Sequence, residues 1–185
     1  MTASVTSVGT RANGNAERSS APAHANDALD LDALLAMGHR ELSDLYAAAE
    51  VPSIEELSGD LRGRMLVGPW ASKPVADAMR RFSRQPYFPW RGKSFSAKSP
   101  DKGEGINRVF RDRTRWFRFE TEVGKSRAGD FDAVQLDYDL PENPFFIRAI
   151  KDEVRRVRPG LFLGQAWLKT GDKTHLALWF ALEKR

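Results

Sequence analysis

A histidine and a tyrosine in this sequence are candidates to exchange a proton with a bound molecule. His175 begins the last apolar run of the chain, and imidazole titrates nearer neutral pH than any other side chain, so His175 is a candidate general acid or base. Tyr138, which alternates with apolar residues, is the second candidate. The alternative for His175 is a strand-end histidine that is hydrogen-bonded to the neighbouring turn or faces water.

Two carboxylates, Asp137 and Asp139, flank Tyr138 and could act as an acid–base pair. However, residues two apart in a strand share a face, and Leu136 and Tyr138 occupy the opposite, apolar one. We therefore expect both aspartates to point outward, with Asp139 capping the strand end or pairing with arginines of residues 143–158.

Aromatic side chains in several predicted strands could line a ligand cavity, because they offer a large contact area with a few polar handles. The alternative is a solid core. The predicted ligand-binding residues are Phe117, Phe119, Tyr138, Gln165, Trp167 and Trp179.

Metal and cofactor chemistry has little support in the sequence. The 3 histidines are scattered and there are 0 cysteines, so we predict no metal site. No glycine-rich phosphate loop, dinucleotide fingerprint or G-x-S-x-G elbow occurs. We expect no cofactor, with haem ligation by His175 as the remaining alternative.

Short apolar stretches separated by turns predict an antiparallel sheet. Phe117, Phe119, Thr121 and Val123 alternate with polar residues, as in a strand with one wet face. The last strand is apolar on both faces and should be covered on both. The predicted strands are 61–68, 90–95, 106–111, 115–123, 131–140, 161–169 and 174–182.

Helical patterns precede and interrupt these strands. Apolar spacing with a break at Gly38 predicts helices from Leu29 onward, and Ser53 with Glu56 forms a capping box for a short turn. A helix opens at 72–74. Asn143, Pro144 and apolar residues at helical spacing predict another helix over 143–158.

These elements predict an α+β fold of mainly antiparallel β structure. Closing seven or eight strands into a calycin-like barrel would remove the exposed edges, with N-terminal helices outside and one helix inserted before the last two strands. The predicted organisation is a disordered tail at 1–28, a helical segment packing on the barrel at 29–58 and the barrel domain at 59–185.

The composition limits the classes of partner that we expect this protein to bind. The net charge is +4, with 29 basic residues interleaved among 25 acidic ones, which does not favour nucleic acid as a partner. No apolar run is long enough for a membrane span, and no secretory signal is visible, so we expect a cytoplasmic protein. A homo-oligomer is compatible with the sequence.

Three segments resemble a bacterial lipocalin-like family of unknown function that is named for its G-x-W-x-G motif. "WRGKSF" at 90–95 resembles its W-x-G-K-x-F strand, Tyr138-Asp139 and the segment up to Leu163-Gly164 resemble its Y-D to L-G progression, and "LALWFAL" resembles its closing strand. The likeness covers about residues 60–183; Arg62-Gly63-Arg64 is an imperfect counterpart of the G-x-W-x-G signature itself.

The resemblance implies a barrel that holds an apolar small molecule. It also implies an alternative of another class, a cyclase or isomerase that uses the same cavity in a biosynthetic pathway. A third alternative, contact between aromatic and arginine residues at 108–118 and a nucleic acid, has an equally simple explanation as a hairpin with a solvated face.

Overall fold

The computed structural model describes residue 1, residues 29–110 and residues 114–184. The tail predicted for residues 1–28 lies, apart from Met1, outside the described residues. The helices are α1 Leu31–Ala36, α2 His39–Ala48, α3 Ile54–Leu57, α4 Lys73–Ser83 and α5 Phe145–Arg148.

Local sequence explains where the first helices begin. The Asp30 carboxylate accepts a hydrogen bond from the Ala33 amide, Gly38 separates α1 from α2, and Ser53 and Glu56 form the predicted capping box. None of the helices in the described part of the chain is long and apolar enough to cross a membrane.

Eight strands form a closed antiparallel barrel in which each strand pairs with the next and β8 pairs with β1. This confirms the predicted fold class. The strands are β1 Gly59–Met65, β2 Trp90–Ala97, β3 Lys102–Val109, β4 Thr114–Lys125, β5 Asp132–Asp137, β6 Ile150–Arg158, β7 Leu161–Thr170 and β8 Lys173–Lys184.

The two ends of the barrel differ. The connections that contain α4 and α5 lie at one end, which we call the open end, together with the β7–β8 turn and with Phe110, which follows β3. At the opposite end, Ile54 and Leu57 of α3 are buried in one apolar cluster with the interior residues Phe95 and Phe119. The short helix α3 therefore closes that end of the barrel.

The apolar residues form two separate cores. The inner core fills the closed half of the barrel, while the outer core lies between the barrel wall and helices α1 and α2. Strand β8 contributes to both, with Trp179 in the outer core and Phe180 in the inner one. The prediction that this strand is buried on both faces is confirmed.

The helix predicted over residues 143–158 is wrong for most of its length. Only Phe145–Arg148 are helical, and residues Ile150–Arg158 form β6 between β5 and β7. The apolar residues fit the period of a helix and that of a strand alike. Ile150 and Val154 are an even number of positions apart and therefore also share one face of a strand, with Asp152 between them. The hydrogen bonds of two neighbouring strands favour the extended form over the helix.

Candidate functional site

A cavity of about 400 Å³ occupies the open half of the barrel. Its walls are almost entirely apolar or aromatic, and they come from both the strands and the connections at the open end. Toward the mouth the cavity is lined by Met65, Phe88, Pro89, Phe110 and Trp116.

Strand register determines which side chains face the cavity. Residues directly opposite each other on paired strands share a face of the sheet. Asp152, Ala166 and Leu178 are opposite one another across β6, β7 and β8, and all three line the cavity. The next row, Glu153, Gln165 and Trp179, must then face outward.

A buried ion pair lies at the inner end of the cavity. Lys93 Nζ is 2.9 Å from Asp152 Oδ2, and the two side chains are only 3% and 5% exposed. Further hydrogen bonds offset part of the cost of burying such a pair. Lys93 Nζ also donates to Asn107 Oδ1 at 3.0 Å and to the Tyr138 hydroxyl at 2.5 Å.

Tyr138 and Asn107 complete this network. The Tyr138 hydroxyl donates to Asp152 Oδ2 at 3.1 Å and accepts a hydrogen bond from Asn107 Nδ2 at 3.1 Å. Trp90 Nε1 donates to Asn107 Oδ1 at 2.9 Å. We call these five residues the polar floor: Trp90, Lys93, Asn107, Tyr138 and Asp152.

Aromatic rings enclose the lysine of the polar floor. Lys93 Nζ lies between 5.0 and 5.6 Å from the ring centroids of Trp90, Phe119, Tyr138 and Phe180. These rings offer partly negative faces to the ammonium group. They replace part of the hydration that the cation loses on burial.

Burial shifts the pKa values of two groups in the polar floor. Desolvation lowers the pKa of Lys93, and the nearby Asp152 opposes that shift. Desolvation, reinforced by the negative charge of Asp152, raises the pKa of Tyr138 well above its ordinary value. The raised pKa of Tyr138 keeps its phenol uncharged at neutral pH.

Backbone irregularity shapes the mouth. Phe110 and Phe117 have positive φ values of 50° and 61°, and the β3–β4 register shifts between Ile106 and Asn107. Such conformations are strained for residues other than glycine. The shift turns Phe117 into the cavity wall, and Phe110 packs edge-on against Trp116 at a centroid distance of 5.3 Å.

Three of the predicted ligand-binding residues lie inside the barrel. Tyr138 and Phe117 line the cavity. Phe119 is fully buried in the inner core beneath them, with its ring centroid 5.2 Å from that of Tyr138.

The other three, Gln165, Trp167 and Trp179, do not line the cavity. Trp179 packs against α2, where its Nε1 donates to His39 Nδ1 at 2.9 Å. Trp167 Nε1 donates to Gln165 Oε1 at 3.2 Å on the outside of β7. For Trp179, alternation alone could not identify the inner face, because β8 is apolar on both faces.

Of the predicted proton-transfer candidates, one lies inside the barrel and the others lie on its surface. Tyr138 is 2% exposed and belongs to the polar floor. His175 is exposed near the β7–β8 turn and does not line the cavity. Asp137 and Asp139 point outward as predicted and pair with Lys151 and Arg148.

Sequence reasoning identified only Tyr138 of the polar floor; of the four residues that it missed, Lys93, Asn107 and Asp152 could have been found. Each has a visible signal, because each alternates with apolar neighbours as an inward-facing residue does. Lys93 is two positions from Phe95, Asn107 is two positions from Val109, and Asp152 is two positions from both Ile150 and Val154, so each shares a strand face with apolar residues. The helical interpretation of residues 143–158 hid the last of these.

Comparisons with known proteins identify no family. No family model and no curated protein matches the chain. A solved structure described as a protein from Thermomonospora curvata is similar over 80% of this chain and 88% of that one, with 15% sequence identity and a TM-score of 0.49. What can be said of the site therefore comes from its own geometry.

Proposed function

We propose that this protein binds an uncharged, largely apolar small molecule in the barrel cavity. The observation that carries the proposal is the cavity of about 400 Å³ at the open end, with apolar walls and a compact polar floor. Ligand sites typically combine these features, because apolar walls supply affinity and a few polar groups fix orientation.

The charge balance of the floor favours an uncharged ligand. Lys93 and Asp152 neutralise each other at 2.9 Å. A ligand charge in this cavity would be desolvated without a counter-charge, and burial of an unpaired charge is costly. An uncharged ligand avoids that cost.

The barrel size and the sequence resemblance favour the same proposal. A barrel of about eight strands is just wide enough to be filled by side chains or to hold one small ligand. Here only the closed half is filled. The segment Trp90–Phe95 resembles a strand of the lipocalin-like family, for which an apolar ligand is expected, and it supplies Lys93 to the floor.

A second candidate function is a cyclase or isomerase that acts on the bound molecule. The observation that favours it is the contact between the Tyr138 hydroxyl, Lys93 and Asp152 at the inner end of the cavity. Such a cluster could donate or accept a proton from a substrate held in a reactive conformation.

Binding is tested by filling the cavity. Isothermal titration calorimetry would measure the affinity for 2-methoxynaphthalene of the full chain and of Ala166→Trp, whose new ring would occupy the cavity beside Leu178. The matched control is Ala97→Trp, because Ala97 is exposed at the end of β2 next to the closed end. We expect binding to be lost only in the first variant; equal affinity in both would contradict the proposal.

Catalysis is tested by removing one hydroxyl. If the cluster transfers a proton, Tyr138→Phe should lower turnover of a candidate substrate at least about a hundredfold. His175→Ala, an exposed change on β8, should leave turnover unaltered. Binding without turnover by the wild-type protein across a panel of polyene and aryl ketone substrates would favour a carrier over an enzyme.

A further inference from the structure

The hydrogen-bonding capacity of the polar floor is almost completely used within the protein. An ammonium group has three donors. Those of Lys93 go to Asn107 Oδ1, the Tyr138 hydroxyl and Asp152 Oδ2, at 3.0, 2.5 and 2.9 Å. Lys93 therefore has no donor left for a ligand.

Tyr138 and Asn107 are saturated in the same way. The hydroxyl accepts from Lys93 and Asn107 and donates to Asp152 Oδ2. The Asn107 amide donates to Tyr138 and to the Phe117 carbonyl oxygen, and its Oδ1 accepts from Trp90 and Lys93. No side-chain donor of the floor is free to bind a ligand carbonyl.

One atom of the floor stands apart. Asp152 Oδ1 is buried and has no hydrogen-bond partner among the described residues, although Oδ2 of the same carboxylate has two. The residue is 4% exposed and lines the cavity. An unpaired carboxylate oxygen is a strong acceptor whose burial is unfavourable until a donor reaches it.

We propose that the polar group of the ligand is an uncharged hydrogen-bond donor, a hydroxyl on an apolar skeleton, which pairs with Asp152 Oδ1. This inference rests on the proposed binding function and specifies its ligand class. The oxygen of a carbonyl or an ether is itself an acceptor and could not form a hydrogen bond with Asp152 Oδ1. A cationic donor would add an uncompensated charge to a floor that is already neutral.

The carboxylate can adjust to such a ligand. Oδ1 exposes less than 1 Å² of surface, and Asp152 lines the cavity, so a ligand hydroxyl can reach this atom after a small rotation of the carboxylate about Cβ–Cγ. This torsion of aspartate has a broad energy minimum, and the adjustment is therefore inexpensive. The same rotation moves Oδ2, so its hydrogen bonds to Lys93 and Tyr138 limit the rotation to a small angle.

Two probes with the same ring system test the inference, 2-naphthol and 2-methoxynaphthalene. They differ only in whether the oxygen carries a hydrogen or a methyl group, and 2-naphthol is uncharged at neutral pH. Burial of the additional methyl group alone would favour the ether by roughly fourfold. A hydrogen bond to a carboxylate should instead make 2-naphthol bind about tenfold more tightly or better.

Calorimetry on the full chain gives distinguishable outcomes. In Asp152→Asn the preference for 2-naphthol should fall at least about fivefold, whereas Asp137→Asn, which changes an exposed carboxylate, should retain it. Wild-type binding of both probes with the ether equal or stronger would overturn the donor inference and leave the binding function intact. Binding of neither probe would overturn the binding function itself. The wild-type comparison stands even if Asp152→Asn fails to fold.

Discussion

Lys93 Nζ and Asp152 Oδ2 form a 2.9 Å ion pair inside the barrel, although the two residues are 59 positions apart in the chain. They come from β2 and β6, which are separated by three strands of the barrel and face each other across its interior. The pair therefore exists only when the barrel is closed, and it links the cavity to the stability of the fold.

Removing one partner of this pair should be strongly destabilising. Lys93→Met leaves the Asp152 carboxylate buried without its cation, at an expected cost of about 3–5 kcal/mol in the free energy of unfolding. The double variant Lys93→Met/Asp152→Leu should recover most of that loss, because neither charge remains. Urea unfolding of the three proteins measures both effects.

The control for this series is Lys98→Met, which breaks an ion pair with Glu104 whose lysine side chain is 56% exposed. We expect it to cost less than about 1 kcal/mol. If Lys93→Met were no more destabilising than Lys98→Met, the buried pair would not have the role inferred for it.

Buried tyrosines should determine how stability declines in alkali. Burial is the main cause that raises the pKa of Tyr138 above its ordinary value of 10.0, and it raises that of Tyr46 as well. Above pH 10.0 the unfolded chain loses these protons while the folded chain keeps them. Their stabilising contribution is complete below pH 10.0 and decreases as the pH rises further, by about 1.4 kcal/mol per pH unit for each tyrosine.

Tyr138→Phe removes one of these protons and should therefore make the free energy of unfolding decline less steeply with pH. Tyr46→Phe should have the same effect independently. Urea unfolding across pH 10.0 measures the slope for each variant. Tyr87→Phe is the control because Tyr87 is 65% exposed. An unchanged slope in Tyr138→Phe would show that its phenol ionises equally in both states.

Substitutions at two neighbouring aromatic residues of β8 should affect different properties, stability in one case and ligand affinity in the other. Trp179 belongs to the outer core and donates to His39, so Trp179→Phe should lower the free energy of unfolding by about 1–3 kcal/mol. It should leave the affinity for 2-methoxynaphthalene unchanged. Phe180 lines the cavity, so Phe180→Leu should weaken that affinity about threefold or more through lost ring contact. Calorimetry and thermal unfolding of both variants separate these effects, and the reverse pattern would contradict the assigned faces.

Gly92 should be the least replaceable glycine of the barrel wall. Its φ is +132°, and a Cβ atom there would meet the Leu61 carbonyl oxygen on β1. Gly92→Ala therefore combines backbone strain with a backbone collision beside Lys93. We expect a loss of stability that clearly exceeds the roughly 1–3 kcal/mol of strain alone.

Gly59→Ala provides the strain without the collision. Gly59 has a φ of +107°, and in the described part of the chain no atom lies within 4 Å of a Cβ placed there. Circular dichroism melts of the two variants would measure the difference. Equal losses would mean that close approach of β1 and β2 at Gly92 has no energetic consequence.

Much of the fold could be predicted from local pattern. Alternation in β4 and β5 correctly directed Tyr138 inward and Asp137 outward, because one face of each strand is apolar and the other polar. The capping box at Ser53 and the break at Gly38 are also local features, and both are present. In β4 the agreement is partial, because the register shift at Phe117 brings Trp116 to the cavity and Val123 is exposed.

Prediction failed where two patterns overlap. Residues 150–158 satisfy helical and strand periods alike, and β8 offers two apolar faces. In both cases the outcome depends on other parts of the chain. Strands β5 and β7 supply backbone hydrogen bonds that hold β6 extended, and helices α1 and α2 cover one face of β8.

By itself, the sequence determined the antiparallel architecture, the outer helices and an interior that includes Tyr138, because these follow from periodicity and capping over a few residues. Only the tertiary structure decided that Lys93 and Asp152 lie inside it. Either charge alone would be too costly to bury, and each becomes tolerable through a partner that barrel closure brings within 2.9 Å. The site therefore depends on a pairing that no local segment contains.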